Sequence, residues 1–149
     1  MKNIVTLVAL LVIGFAINAQ ITNTTSTSAI DLPEDHHAIE WKNISLEEAQ
    51  ALAKETGKPL YIDISTSWCG YCKKMKRNVY TQTQVIENLN KNFIPLAIDG
   101  EKGEGVTLVR KHKVRGYPTQ IIISGQGEII GRHDGYMSES KLLNFLSKS

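Results

Sequence analysis

The hydrophobic pattern divides the chain into three stretches. Met1-Lys2-Asn3 opens with one basic residue, residues 4–17 form an apolar run, and Asn18-Ala19-Gln20 closes it. A basic start, an apolar centre of this length and a small residue at its end form the pattern of a secretory signal peptide, with cleavage expected after Ala19. The run is shorter than the roughly 20 apolar residues that a membrane-spanning helix needs. Residues 20–38 are rich in Thr, Ser and Asn and have no apolar period, which predicts a flexible leader. His36 and His37 stand beside Asp35 in that leader, and their adjacency suits a solvated tail better than a metal site. Residues 39–149 carry regular apolar periods, and one domain of ordinary size is expected there.

Within this domain the period alternates between that of helices and that of strands. Ser45 followed by Glu48 predicts a capping box, and Leu46, Ala49, Leu52 and Ala53 recur at helical spacing until Gly57 and Pro59 stop the helix. Residues 60–64 read as a short buried strand broken by the charge of Asp63. A helix is expected from Trp68 or Cys69 to about residue 80, a second over 84–89, a strand over 93–98 and a short helix over 106–112. Ile121-Ile122-Ile123 centres a strand over 119–124, Gly125-Gln126-Gly127 turns it, and 128–132 returns. Ser138, three residues before Lys141, starts a last helix with Leu142, Leu143, Phe145 and Leu146. The order α-β-α-α-β-α-β-β-α predicts an α/β domain with a central mixed sheet covered by helices on both faces.

Composition narrows the function classes. Apolar residues make up 42% and charged residues 21%, the balance of a soluble globular protein. The net charge of +2 falls to +1 once the first 19 residues, with one lysine and no acid, are removed. Nothing in that balance points to nucleic acid. Lys73, Lys74, Lys76 and Arg77 form a local basic run, read as a solvated helix face, and His112 and His133 are expected to be exposed.

The two cysteines carry the chemistry. Cys69 and Cys72 are separated by two residues. A secreted domain stapled by disulfides usually has four or more cysteines at wider spacing, and closing so short a loop removes little entropy from the unfolded chain. The pair therefore fits redox chemistry better than reinforcement. Only a thiolate attacks a disulfide, and a free thiol near pKa 8.5 is mostly protonated at neutral pH. At the start of a helix Cys69 meets unpaired backbone N–H groups and the positive end of the helix dipole, with Lys73 one turn along, so Cys69 is the expected nucleophile. Cys72 lies close enough to resolve a mixed disulfide on Cys69.

Trp68-Cys69-Gly70-Tyr71-Cys72-Lys73-Lys74, at the junction of a strand and a helix, resembles the thioredoxin superfamily. The resemblance extends to Asp63 six residues before Cys69, to Gly116-Tyr117-Pro118-Thr119 before the final hairpin, and to Asp134-Gly135-Tyr136 before the last helix. It covers about residues 39–146, nearly all of the chain expected after cleavage. It is strongest toward exported thioredoxin-like proteins and the C-terminal domain of the bacterial transmembrane disulfide reductase. The resemblance implies a thioredoxin-like fold and a role for each matching residue. Asp63 would be a buried acid exchanging a proton with Cys72, and Trp68 would shield one side of the pair. Pro118 in cis would hold its loop against Cys69, leaving the Tyr117 backbone to pair with an extended substrate beside Gly70 and Tyr71. Two positions depart from the common pattern. Gly70-Tyr71 between the cysteines resembles bacterial disulfide isomerases, and Pro95 stands where thioredoxins carry a lysine near the buried acid.

The expected function is an exported, periplasmic or secreted thiol–disulfide oxidoreductase, a protein-disulfide reductase that needs no cofactor beyond the Cys69–Cys72 dithiol. Its expected partners are protein disulfides and a membrane reductase that delivers electrons, and a monomer is expected. No histidine lies between the cysteines to stabilise the thiolate as in strong oxidants, and the chain has no room for the dimerisation domain of typical isomerases. The competing readings are an isomerase or oxidase and, in another class, a module that holds a soft metal such as Cu(I) or zinc. Two thiolates leave zinc two ligands short.

Overall fold

The computed structural model describes residues 38–149, so the expected signal peptide and nearly all of the leader, with His36 and His37, lie outside the described residues. Nine elements follow in order: α1 (Leu46–Thr56), β1 (Leu60–Ser65), α2 (Gly70–Asn78), α3 (Thr83–Asn92), β2 (Ile94–Asp99), α4 (Glu104–Lys111), β3 (Thr119–Ile123), β4 (Ile129–Asp134) and α5 (Glu139–Leu146). The sequence of elements is the expected one.

Local chemistry sets several of the boundaries. The Ser45 hydroxyl accepts the Glu48 N–H while the Glu48 carboxylate accepts the Ser45 N–H, so two of the donors left orphaned at the start of α1 are satisfied. Gly57 ends the helix at φ 74°, a left-handed cap that favours glycine. The Ser138 hydroxyl caps α5 by accepting the Lys141 N–H.

The sheet order is β2-β1-β3-β4, with β1 parallel to β2, antiparallel to β3, and β3 antiparallel to β4. The six residues of β1 are all buried, and their alternation assigns two different faces. Leu60, Ile62 and Ile64 join Ile94, Leu96, Ile98, Ile121 and Ile123, covered by Ala49 and Ala53 of α1 and Leu108 of α4. Tyr61 and Ile122 lie on the other face under Met75 of α2, Val85, Ile86 and Leu89 of α3, and Leu142 and Leu146 of α5. Asp63 and Gln120 share that second face as register partners. The α2 side of the sheet therefore carries the buried acid and the buried amide.

Two of the boundaries that differ from the sequence pattern bear on the site. Helix α2 stops at Asn78 rather than near 80, and Val79 and Tyr80 turn their buried side chains back into the core. Strand β4 runs two residues further than expected, because a register irregularity at Ile122/Ile123 and the turn around Gly127 shift the pairing until Asp134 stands opposite Thr119. Ile129 and Ile130, at the start of this edge strand, are each 44% exposed. Pro95 sits on edge strand β2, where a missing N–H does least harm, and its carbonyl accepts the Lys42 N–H at 2.8 Å.

Candidate active site

Strand β1 ends at Ser65, Thr66 and Ser67 form the loop, and Cys69 is the N-cap of α2. Cys69 and Cys72 are joined as a disulfide with their Cα atoms 5.3 Å apart. The Cys72 N–H points at Cys69 Sγ at 3.0 Å, and the Lys73 N–H donates to the Cys69 carbonyl at 3.1 Å. In the oxidised chain that first donor meets a disulfide sulfur; after reduction it faces the thiolate, a charge-assisted contact that favours ionisation. The two cysteines are 4% and 2% exposed, so an incoming disulfide has only a small opening at sulfur.

Asp63 is 1% exposed and lies within β1. Its Oδ1 accepts from the Tyr80 hydroxyl at 2.9 Å and from Gln120 Nε2 at 3.2 Å. Tyr80 in turn shares a hydrogen bond of 2.9 Å with the Tyr61 hydroxyl. Burial pushes the Asp63 carboxyl above its ordinary range, against the opposing pull of the Tyr80 and Gln120 donors and of the Lys76 charge. Burial and the neighbouring acid also hold both phenols protonated. Sequence reasoning singled out Asp63 but missed Tyr61, Tyr80 and Gln120. Gln120 had one signal: it is an amide set in a run of isoleucines two residues after Pro118.

The cation whose charge acts on Asp63 is Lys76, and it comes from α2, not from the β2 position taken by Pro95. It lines a cavity of about 260 Å³ with Ser65, Thr66, Ala97 and Asp99. Ala97 is the register partner of Asp63 on β2, so the cavity opens on the sheet position that carries the acid. A larger concavity of about 980 Å³ lies between α1 and α4 and has no cysteine in its walls.

The Tyr117–Pro118 peptide is cis, and the Pro118 carbonyl accepts the Gly135 N–H at 2.7 Å. The Thr119 hydroxyl lies 2.9 Å from the Gly116 carbonyl and 2.9 Å from Asp134 Oδ1. The two glycine-containing motifs, far apart in sequence, thus form one unit. Gly135 takes φ 102°, which its turn requires.

Aromatic rings extend from both cysteines. Trp68 is 64% exposed; its Nε1 donates to Glu101 Oε2 at 3.0 Å, and its ring meets the Tyr117 ring edge-on at 6.0 Å. The Tyr117 ring lies so close to Gly100 that a Cβ there would come within 2.6 Å of it. The β2–α4 loop thereby holds both rings. Tyr71, 62% exposed, packs against Tyr136 at 6.3 Å, and Lys74 Nζ sits 4.7 Å from the Tyr136 ring centre. Tyr136 belongs to the Asp134-Gly135-Tyr136 motif singled out in the sequence, whereas nothing in the sequence pointed to Glu101 as a neighbour of the site. His112 and His133, expected to be exposed, are half-buried, His133 against Phe145.

Glu101→Ala is expected to free the Trp68 indole. KM for a disulfide substrate should rise about three- to tenfold, the worth of roughly one hydrogen bond, with kcat nearly constant. Steady-state kinetics read beside Trp68 emission checks this. An unchanged emission spectrum would show that the tether does not hold in solution.

A family model described as a thioredoxin-like domain matches residues 46–149. Among curated relatives, the thiol:disulfide interchange protein DsbD of Vibrio cholerae is 32% identical over 107 residues, covering 69% of this chain and 18% of its own length. DsbD of Yersinia pestis is 29% identical over 109 residues, with 70% and 18% covered. The chain thus spans under a fifth of the curated relatives it matches. A candidate disulphide isomerase from Bacteroides thetaiotaomicron is 35% identical with TM-score 0.65, covering 75% of this chain and 90% of that one. A thioredoxin from Thermus thermophilus is 26% identical with TM-score 0.66, covering 74% and 85%. By the family match, the shared sheet and the seat of its cysteine pair, this chain belongs to the thioredoxin-like family.

Proposed function

We propose that this thioredoxin-like thiol–disulfide oxidoreductase works as a reductase of protein disulfides outside the cytoplasm. The observation that carries the reading is the Cys69–Cys72 disulfide at the N-cap of α2, with the Cys72 N–H on Cys69 Sγ. The Cys69 thiolate attacks one sulfur of the substrate disulfide, a mixed disulfide forms, and one substrate thiolate leaves. Cys72 gives up its proton and attacks Cys69 Sγ, the second substrate thiolate leaves, and the chain ends as the Cys69–Cys72 disulfide. Two electrons have passed to the substrate. Asp63, held above its ordinary pKa by burial, is the acceptor proposed for the Cys72 proton. Trp68, Gly70, Tyr71, Tyr117 and Pro118 are proposed to line the substrate's path, with the Tyr117 backbone pairing to an extended segment.

The chemistry needs no cofactor, but the dithiol must be regenerated. The DsbD relatives support a membrane reductase as electron donor, and residues 1–19 support export. Among the described residues no helix is long and apolar enough to cross a membrane.

Gly70-Tyr71 and the likeness to the Bacteroides protein favour isomerisation as the second reading. Two assays separate them. With dithiothreitol as electron source, the protein is expected to accelerate insulin reduction without reactivating scrambled ribonuclease. Reactivation without net reduction would make it an isomerase, and stoichiometric copper or zinc in the purified protein with neither activity would favour the metal reading.

A further inference from the structure

Helix α2 carries more charge than its redox role explains. Lys73, Lys74, Lys76 and Arg77 follow Cys72 almost without interruption, and the helix contains no acid. All four are exposed, and none forms an ion pair among the described residues. The acids on the other side of the site have partners within the fold. Asp99 pairs with Lys102 at 3.2 Å, Glu101 holds the Trp68 indole, and Glu104 accepts the Leu46 N–H. A row of like charges destabilises a helix, whereas a surface built only for solubility mixes its signs. Here the row begins at the redox pair. Lys74 lies over Tyr136, and Tyr136 packs on Tyr71, which lies between the cysteines.

We propose that this cationic row is the docking face for the redox partner, a protein that presents carboxylates beside its disulfide. The inference rests on the reading of Cys69–Cys72 as a disulfide-exchange pair. At the moment of attack the partner's sulfur is at Cys69, so its neighbouring surface must lie over the first turns of α2. At 1.5 Å per residue, positions 73 to 77 are about 6 to 12 Å along the helix axis from Cys69. A Debye length is about 8 Å at physiological ionic strength, so an acidic flank on the docked partner feels this row. Complementary charge of this kind raises association rates by about 10- to 1,000-fold and falls away with salt.

The test uses the pre-reduced protein and two synthetic peptides with the same intramolecular disulfide loop, one flanked by glutamates and one by lysines. Oxidation of the protein is followed by tryptophan fluorescence. The acid-flanked peptide is expected to react at least about tenfold faster at low salt, the difference closing at high salt. In Lys74→Glu/Arg77→Glu the preference should reverse, while the equilibrium with glutathione stays that of the unaltered protein. That last readout separates docking from any effect on the Cys69 thiolate. Equal rates for the two peptides, or a preference that survives high salt, would overturn the docking inference with the oxidoreductase reading intact. Failure to reduce either peptide would overturn both.

Discussion

In a Cys69→Ser protein, disulfide exchange is expected to fall on the order of 10³-fold or more, to the uncatalysed background, because the variant has lost its nucleophile. Cys72→Ser should behave differently. Its Cys69 still sits at the N-cap of α2 with a backbone N–H aimed at Sγ, so it attacks substrate. Without a resolving thiol the reaction stops at the mixed disulfide. Non-reducing electrophoresis and intact mass should therefore find a covalent adduct through Cys69 in Cys72→Ser and none in Cys69→Ser. The reverse pattern would exchange the two roles.

Asp63→Asn is expected to stabilise the fold and slow the chemistry. The carboxyl is buried, and its folded pKa lies above the ordinary value of 3.8. Between those two values the native state holds a proton that the unfolded chain has lost. Stability therefore falls as pH rises from about 3.8 through the folded pKa, and the cost is complete at higher pH. Asparagine keeps an oxygen for the Tyr80 and Gln120 donors and removes the charge. At neutral pH the variant should gain on the order of 1–3 kcal/mol, with the gain vanishing below about pH 3.8. Urea midpoints at the two pH values check the sign. If Asp63 also accepts the Cys72 proton, resolution of the mixed disulfide should slow about 10²-fold near neutrality. A stability gain without this slowing would leave Asp63 as a buried charge with no part in catalysis.

The parts of this molecule that follow from local chemistry were legible in its sequence. The Ser45–Glu48 box, the Gly57 cap, the Cys69–Cys72 pair at a strand-to-helix junction and the isoleucines of β3 each depend on neighbours a few residues away. The surroundings of Asp63 do not. Gln120 reaches it only through the antiparallel register of β1 with β3, and Tyr80 reaches it because α2 stops at Asn78 and the chain turns inward. The same holds for Glu101 on Trp68 and for Asp134 on Thr119, which need the β2–α4 loop and the register of β4. Pro95 in place of the expected lysine suggested a missing cation; Lys76 acts on the acid from a different element.

The reduction potential of the Cys69–Cys72 pair tests the central claim most directly. The N-cap position of Cys69 favours its thiolate, but Gly70-Tyr71 brings no histidine to stabilise it further. Equilibration with glutathione redox buffers, read by tryptophan fluorescence, is expected to give a value between about −270 and −180 mV, the span of thioredoxin and protein disulfide isomerase. A value near about −120 mV, that of the strong bacterial oxidant, would contradict the account and make the protein a donor of disulfides.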